Sequence, residues 1–216
     1  HHESIINDHP EIPGIRKVGV GACELCWQEF FPEYSLNPII DYLGTYDVWN
    51  QERHDWQKVL DIQTGANDKY GNDPDLILGD LSNYSGSLLE DLESRGRLLN
   101  NYQDKQYKSS LSQFCGYIED FHGLRVLVFN TTNFTSQAFK SLWNPDHFDA
   151  MMPWCYSPRM KKFRVSMYTD KPGIILNTIP GFNGHQKACG AQKTPSEWFS
   201  EILPYIEDVP KFEDPQ

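Results

Sequence analysis

The sequence predicts a mixed α and β protein, in which a helical first part leads into a compact α+β domain in the last third. Two observations carry this prediction. Apolar residues recur at helical spacing in several segments between residues 22 and 115, and the pattern then changes to short apolar runs typical of strands. With 216 residues, of which 39% are hydrophobic, the chain can bury a sizeable core and has the length of one large domain or two small ones.

Two helices are predicted near the start of the chain. The first has an apolar face, formed by Ala22, Leu25, Cys26 and Phe30. It is expected to end at Phe31 and Pro32. The second begins with a capping residue followed by proline, Asn37 and Pro38, which is a typical helix start. Its apolar stripe is Ile39, Ile40, Leu43 and Val48.

The middle of the chain alternates between loop and helix patterns. Residues 67–86 are rich in Asn, Asp, Gly and Ser, which predicts loops around the short apolar run at residues 76–78. Residues 87–115 again carry leucines at helical spacing with charged residues between them. We expect one long helix here, with a kink near Gly96, and such a helix suits a connector between two domains.

The last third has the pattern of a sheet. Residues 124–129, 148–156 and 163–168 are strand-like, and residues 157–162 are expected to form the hairpin loop between the last two strands. The basic residues around Phe163 have two interpretations, a solvated hairpin or a grip on a nucleic-acid backbone with aromatic stacking. The pattern alone does not choose between them.

The charge of the chain limits the class of partner. A formal net charge of −11 argues against a surface that grips a long duplex, because that requires clusters of Lys and Arg. A short substrate held in a pocket remains compatible. No apolar run approaches the roughly 18 residues of a membrane span. We therefore expect a cytoplasmic protein without a membrane partner.

The five cysteines are odd in number and scattered through a chain too large to need disulfides, so we expect reduced thiols. Cys23 and Cys26 form a Cys-x-x-Cys pair, which raises the question of a zinc or redox site. No second pair of Cys or His lies at suitable spacing. Both thiols fall one turn apart on an apolar helix face, which favours packing in the core.

Three segments of the first part carry a family resemblance. The chain begins with His1 and His2, followed by a short apolar run, and a preceding Asp would complete an Asp-His-His triplet. The segment GVGACELCWQEFFP at 19–32 and the segment IIDYLGTYDVW at 39–49 follow in order. Together they resemble the DHH family of phosphoesterases. Two histidines at the start are also what a clipped polyhistidine tag leaves behind.

The last third resembles the DHHA-type substrate domain of the same family. That domain has a strand, a short connecting helix and a Gly-rich loop of the form G-G-G-H followed by K-x-A-x-G. Here the loop reads GFNGHQKACG at 181–190, with Phe182 and Asn183 at positions where the family usually has Gly. This departure concerns the identity of the substrate more than its class.

The resemblance implies a fold and a domain organisation. It implies an α/β DHH domain, of which residues 1–66 would be the C-terminal part, joined by a helical linker at residues 67–118 to an α+β DHHA-type domain at residues 119–200. Residues 201–216 would form a tail. The family's upstream acidic ligands do not occur in this sequence, so we expect the chain to lack the amino-terminal part of its active site and to be inactive by itself.

The resemblance also implies a metal centre. The family typically uses two Mn ions, which make hydroxide available near neutral pH and stabilise the attacking and leaving oxygens of a phosphoester. By resemblance His1 and Asp47 are metal ligands, and His2 is a catalytic residue beside the metal or the substrate. An exposed carboxylate near a helix end is the ordinary alternative for Asp47.

The Gly-rich loop is the expected phosphate clamp. Glycines let backbone N–H groups approach a phosphate closely, and a His can donate a hydrogen bond to the same oxygens. We expect His185 to contact the phosphate, Gly184 and Gly190 to shape the loop, and Lys187 to add charge. The residues expected to bind substrate are thus Gly181, Gly184, His185, Lys187 and Gly190.

These inferences predict a hydrolase of short oligonucleotides or small nucleotide phosphates, with the substrate in a cleft between the two domains. A non-catalytic fragment that binds nucleotides or nucleic acid is the alternative from another class. Within enzymes, a single-strand exonuclease or a polyphosphatase is the second choice, and the acidic balance disfavours the exonuclease. A homodimer is left open.

Overall fold

The computed structural model describes residues 14–71 and 73–209, which divide into two compact units at residues 103 and 104. The described part of the first unit is helical, and every strand of the described chain lies in the second unit. With six α-helices and one seven-stranded sheet in the described residues, the protein has the predicted mixed α and β character. His1 and His2 lie outside the described residues.

Five helices form or enter the first unit, and three of them begin at a side-chain cap. They are α1 (Ala22–Phe30), α2 (Pro38–Asp47), α3 (Trp56–Tyr70), α4 (Pro74–Ser82) and α5 (Gly86–Phe114). The predicted start of α2 is confirmed, because the Asn37 side chain accepts a hydrogen bond from Ile39 N at 2.9 Å. Asp55 caps α3 and Asp73 caps α4 in the same way.

Helix α4 corrects the prediction of loops over residues 67–86. Asp73 caps it, and Pro74 occupies its first turn, which is the same pair of signals that predicted α2. The helix buries Leu81 in the core of the unit. The many Asn, Asp and Gly residues around it concealed this local start signal.

Helix α5 runs without interruption from Gly86 to Phe114, as the leucine spacing predicted. Gly96 allows a close approach to α3, because a Cβ atom there would lie 1.7 Å from the carbonyl oxygen of Asp61. Gly65 on α3 allows the same close approach, because a Cβ atom there would lie 2.0 Å from the carbonyl oxygen of Leu92. No helix within the described residues has the length and apolarity that a membrane crossing requires.

The second unit is built on the seven-stranded sheet. Its strands are β1 (Cys115–Phe121), β2 (Leu124–Asn130), β3 (Ala150–Ser157), β4 (Lys162–Tyr168), β5 (Asn183–His185), β6 (Ala188–Lys193) and β7 (Glu207–Asp208). The order is β5-β6-β4-β3-β2-β1-β7, in which only the β2–β3 pair is parallel. The three predicted strands and the hairpin between β3 and β4 are confirmed.

Both faces of this sheet are covered. One face packs against helix α6 (Pro195–Glu201), whose Trp198 is 1% exposed. The other face packs against Leu111 of α5 and against Phe139 and Phe148 from the connection between β2 and β3. Alternating inward residues of β4, such as Val165 and Met167, fill the first of these cores.

The element boundaries differ from the predicted domain limits in two places. The unit boundary falls within α5, inside the predicted linker at 67–118, and residues 115–118 already belong to strand β1. Residues 201–209 are part of the second unit, since Ile202 is fully buried and β7 pairs with β1. The α/β character expected of the first domain is not seen in its described residues, which form no strand.

Candidate functional site

Asp47 is the last residue of α2 and lies beside the start of α1. Its Oδ2 atom accepts a hydrogen bond from the backbone N–H of Ala22 at 3.2 Å. This amide belongs to the first turn of α1, whose N–H groups have no partner within the helix. The contact joins residues 25 positions apart and fixes the orientation of the carboxylate.

Asp47 also lines a cavity of about 430 Å³ within the first unit. The lining comes from α1 to α4 and the residue after α3, and consists of Ala22, Cys23, Leu43, Tyr46, Asp47, Gln63, Ala66, Asn67, Tyr70, Gly71 and Ile77. Asp47 is the one carboxylate among these residues. Burial raises the pKa of the Cys23 thiol to about 11, with further contributions from Asp47 and Glu24, so this thiol is neutral at physiological pH.

A buried ionic network supports the elements around this cavity. Glu24 of α1 is 3% exposed, and its two oxygens accept hydrogen bonds from the Arg53 guanidinium at 2.9 and 3.0 Å. Arg53 also forms an ion pair with Asp41 of α2, whose second oxygen lies 3.0 Å from His54 Nε2. The hydrogen bond that Arg53 donates to Glu24 is the largest cause that raises the pKa of Arg53.

Sequence reasoning missed this network because its members lie far apart in the chain. Glu24 and Arg53 are separated by 29 positions, and Asp41 and His54 by 13. The sequence contains one weak indication of the network, which is Gly44 in the interior of α2. A Cβ atom at Gly44 would lie 2.2 Å from the Glu24 carboxylate. A glycine in the interior of a helix is unfavourable, and a close contact of this kind is one reason for its presence.

The described residues do not by themselves form the metal centre that the resemblance implies. No group of three His, Cys, Asp or Glu side chains suited to one cation occurs in residues 14–71 and 73–209. Asp47 has the chemistry of a ligand, an exposed carboxylate oriented by one amide. Glu24 and Asp41 are engaged by Arg53, so they are poor additional ligands. His1 and His2 lie outside the described residues.

The Gly-rich segment forms a hairpin at the edge of the sheet in the second unit. Strands β5 and β6 pair from His185 opposite Ala188, which leaves a two-residue turn between them. Gly184 has a φ of 137°, and a Cβ atom there would lie 2.7 Å from the Ala188 carbonyl oxygen. Only glycine fits this position without strain. The Gly-rich loop that the sequence predicted is therefore a tight hairpin.

The residues that were expected to clamp a phosphate occupy different structural positions. His185 and Lys187 are exposed, and the Lys187 ammonium donates a hydrogen bond to the backbone oxygen of Lys171. Gly190 lies inside β6, opposite Ser166 and Asn183, so it belongs to the sheet ladder. Gly181 has a φ of 81° and precedes the hairpin.

Phe182 explains how the hairpin accommodates a bulky residue where the family usually has Gly. Its side chain is 4% exposed and belongs to the core on the α6 face of the sheet. The ring packs edge-on against Phe121, with the centroids 6.1 Å apart. The added bulk is thus directed into the core and away from the surface of the hairpin.

Two other predictions concern side chains outside these sites. Cys26 is exposed, which corrects the expectation that both thiols of the Cys-x-x-Cys pair pack in the core. Phe163 is 8% exposed and stacks on Trp198 at 4.8 Å, so it does not present an aromatic surface for nucleic acid. The solvated-hairpin interpretation of that basic segment fits these contacts.

Comparison with known proteins gives a match among solved structures. No protein family model matches the chain, and no curated protein matches it. Among solved structures, the chain is similar to the pGpG-specific phosphodiesterase PggH from Vibrio cholerae, with a TM-score of 0.51 and 9% identity. The match covers 91% of this chain and 84% of that one. The two proteins share a fold. At this identity the likeness concerns the fold alone.

Proposed function

We propose that the protein is a metal-dependent phosphoesterase that hydrolyses short oligonucleotides or small nucleotide phosphates. The observation that carries the proposal is the fold shared with a pGpG-specific phosphodiesterase over 91% of the chain. The DHH-like and DHHA-like motifs of the sequence support it independently. A fold hosts many functions, so the residues of the site must carry the chemistry.

Asp47 is the described residue with the clearest role in this proposal. Its carboxylate lines the cavity and is oriented by the Ala22 amide, which suits one ligand of a divalent cation. By the same resemblance His1 would be a second ligand and His2 a catalytic neighbour. Bound Mn would activate water for attack on phosphorus and neutralise charge on the phosphate.

The hairpin of the second unit is the proposed phosphate contact. His185 and Lys187 are exposed at its end, where an imidazole and an ammonium can donate to phosphate oxygens. The net charge of −11 favours short substrates over long nucleic acid. A cytoplasmic location is part of the proposal, and a homodimer is left open.

Substitution of Asp47 tests the metal centre. We expect Asp47→Asn to lower the Mn-dependent hydrolysis of pGpG by the full-length protein roughly 100-fold or more, because a neutral amide is a much weaker ligand for a hard cation. The matched control is Asp104→Asn on α5, where the carboxylate is paired with Lys140 at the surface. Release of mononucleotides is measured with and without Mn.

Two outcomes would contradict the proposal. Full-length protein that is saturated with Mn and inert on pGpG, short RNA and nucleotide bisphosphates is not the proposed enzyme. Tight binding of pGpG without turnover would identify a binding module. Parallel assays with polyphosphate and with long single-stranded RNA distinguish a polyphosphatase and an exonuclease from the proposed activity.

A further inference from the structure

We infer that the cavity beside Asp47 holds a nucleobase of the substrate, with Gln63 and Asn67 hydrogen-bonded to the edge of the base. The inference rests on the proposed function and adds to it the part of the substrate that this cavity recognises. It is carried by the volume, the side-chain chemistry and the charge of the cavity, all within the first unit.

The size and the walls of the cavity suit a flat heterocycle. Its volume of about 430 Å³ falls in the range of roughly 300–1,000 Å³ that is usual for small-molecule sites. Aromatic surface comes from Tyr46 of α2 and Tyr70 of α3, and apolar surface comes from Leu43, Ala66 and Ile77. Aromatic side chains bind bases of any sequence through stacking.

Two amide side chains give the cavity a hydrogen-bonding edge. Gln63 and Asn67 lie one helical turn apart on α3, and Gln63 Nε2 donates to Asn67 Oδ1 at 3.3 Å. This bond leaves the Gln63 carbonyl oxygen as an acceptor and the Asn67 amide nitrogen as a donor. Every nucleobase carries donors and acceptors on its edge, so a neighbouring donor and acceptor are a suitable complement.

The charge of the lining decides which part of a nucleotide enters. Among the described residues of the lining there is no Lys or Arg, and Asp47 is the one carboxylate. Away from the cation proposed at Asp47, a phosphate would lose its hydration without gaining a cationic partner from these residues. A nucleobase is uncharged, so its transfer from water into the cavity costs much less hydration free energy. The base therefore occupies the cavity, and the phosphate stays on the Asp47 side.

Alanine substitution of the two amides tests this assignment. We expect Gln63→Ala and Asn67→Ala each to raise KM for pGpG and Ki for GMP about three- to tenfold, the usual worth of one hydrogen bond. The kcat value and the Ki of ribose 5-phosphate, which lacks a base, should not change. Gln106→Ala on the exposed surface of α5 is the matched control.

The base site and the proposed function can fail independently in these measurements. If the wild type hydrolyses pGpG and both variants bind GMP as the wild type does, the base site is wrong and the phosphoesterase stands. If the wild type hydrolyses no nucleotide, the proposed function fails, and calorimetric binding of GMP still tests the cavity. Alanine favours helices, so both alanine variants should fold. Asn67→Asp, which replaces the amide donor with an acceptor, gives a further variant.

Discussion

Asp149 joins three segments of the second unit through its side chain and its backbone. Its two carboxylate oxygens accept hydrogen bonds from Lys171 Nζ at 2.7 Å and from Arg125 N at 2.8 Å. Its backbone oxygen accepts a hydrogen bond from the Thr169 hydroxyl. Burial by itself would raise the pKa of this carboxyl, but the Lys171 ammonium and the Arg125 amide outweigh it and hold the pKa below its ordinary value.

The lowered pKa predicts how the stability of the second unit depends on pH. Since the folded pKa lies below the unfolded one, Asp149 contributes stability above about pH 4 and loses it as pH falls through the folded pKa. We expect Asp149→Asn to lower the free energy of unfolding at pH 7 by about 1–3 kcal/mol and to flatten its fall on acidification. Urea unfolding at pH 7 and pH 3 measures both effects.

The control for Asp149 is its exposed neighbour in sequence, Asp146. Asp146→Asn should leave the free energy of unfolding within about 0.5 kcal/mol of the wild type at pH 7, as is usual for surface substitutions. An Asp149→Asn variant whose stability follows the same pH curve as that of the wild type would contradict the role given to this carboxylate.

At the scale of elements, the crossing of α3 and α5 depends on two glycines and one buried carboxylate. Gly65 and Gly96 remove side-chain volume where the two backbones meet. Asp61 is 2% exposed beside this crossing and accepts hydrogen bonds from Asn100 at 2.7 Å and Gln57 at 3.0 Å. The close approach is therefore accompanied by satisfied buried polar groups.

Two glycine-to-alanine substitutions should have opposite effects. At Gly96 the new Cβ would overlap the Asp61 oxygen, so we expect Gly96→Ala to destabilise the protein by about 3 kcal/mol. At Gly79, inside α4, no atom lies within 4 Å of the new Cβ, so Gly79→Ala should stabilise it by about 0.5–1 kcal/mol. Thermal unfolding of both variants measures the sign of each change in stability. Equal effects at the two positions would refute the packing argument.

At the scale of the whole molecule, each unit has its own hydrophobic core. The core of the first contains Ile39, Ala66 and Leu92, and the two cores of the second lie on opposite faces of its sheet. Helix α5 contributes Leu92 to the first unit and Leu111 to the second. Both units also contain free cysteines, which report on their unfolding separately.

Thiol labelling of the native protein should therefore proceed in phases. Cys26 is exposed and should react first at pH 8. Burial raises the pKa of Cys23 to about 11 in the first unit, and those of Cys115 to about 12 and Cys189 to about 11 in the second, so these thiols should react slowly. Cys26→Ser should remove the fast phase, and a fast phase that persists would refute this assignment.

The sequence by itself determined where many elements begin and end. Asn37 followed by Pro38 marks the start of α2, and the alternating residues of β4 mark a strand, because caps and periodicity act over a few neighbouring positions. The same signals at Asp73 and Pro74 were present for α4 and were outweighed by the polar composition around them. Asp47 and the Gly-rich segment were chosen from motifs.

Only the tertiary structure decided what surrounds those residues. The cavity that Asp47 shares with Gln63 and Asn67, the pairing of Glu24 with Arg53, and the burial of Phe182 all join distant parts of the chain. Residue spacing records local geometry, whereas contacts of this kind depend on how helices and strands pack after they form. For this protein the sequence specified the elements and the candidate motifs, and packing specified the surroundings of the candidate site.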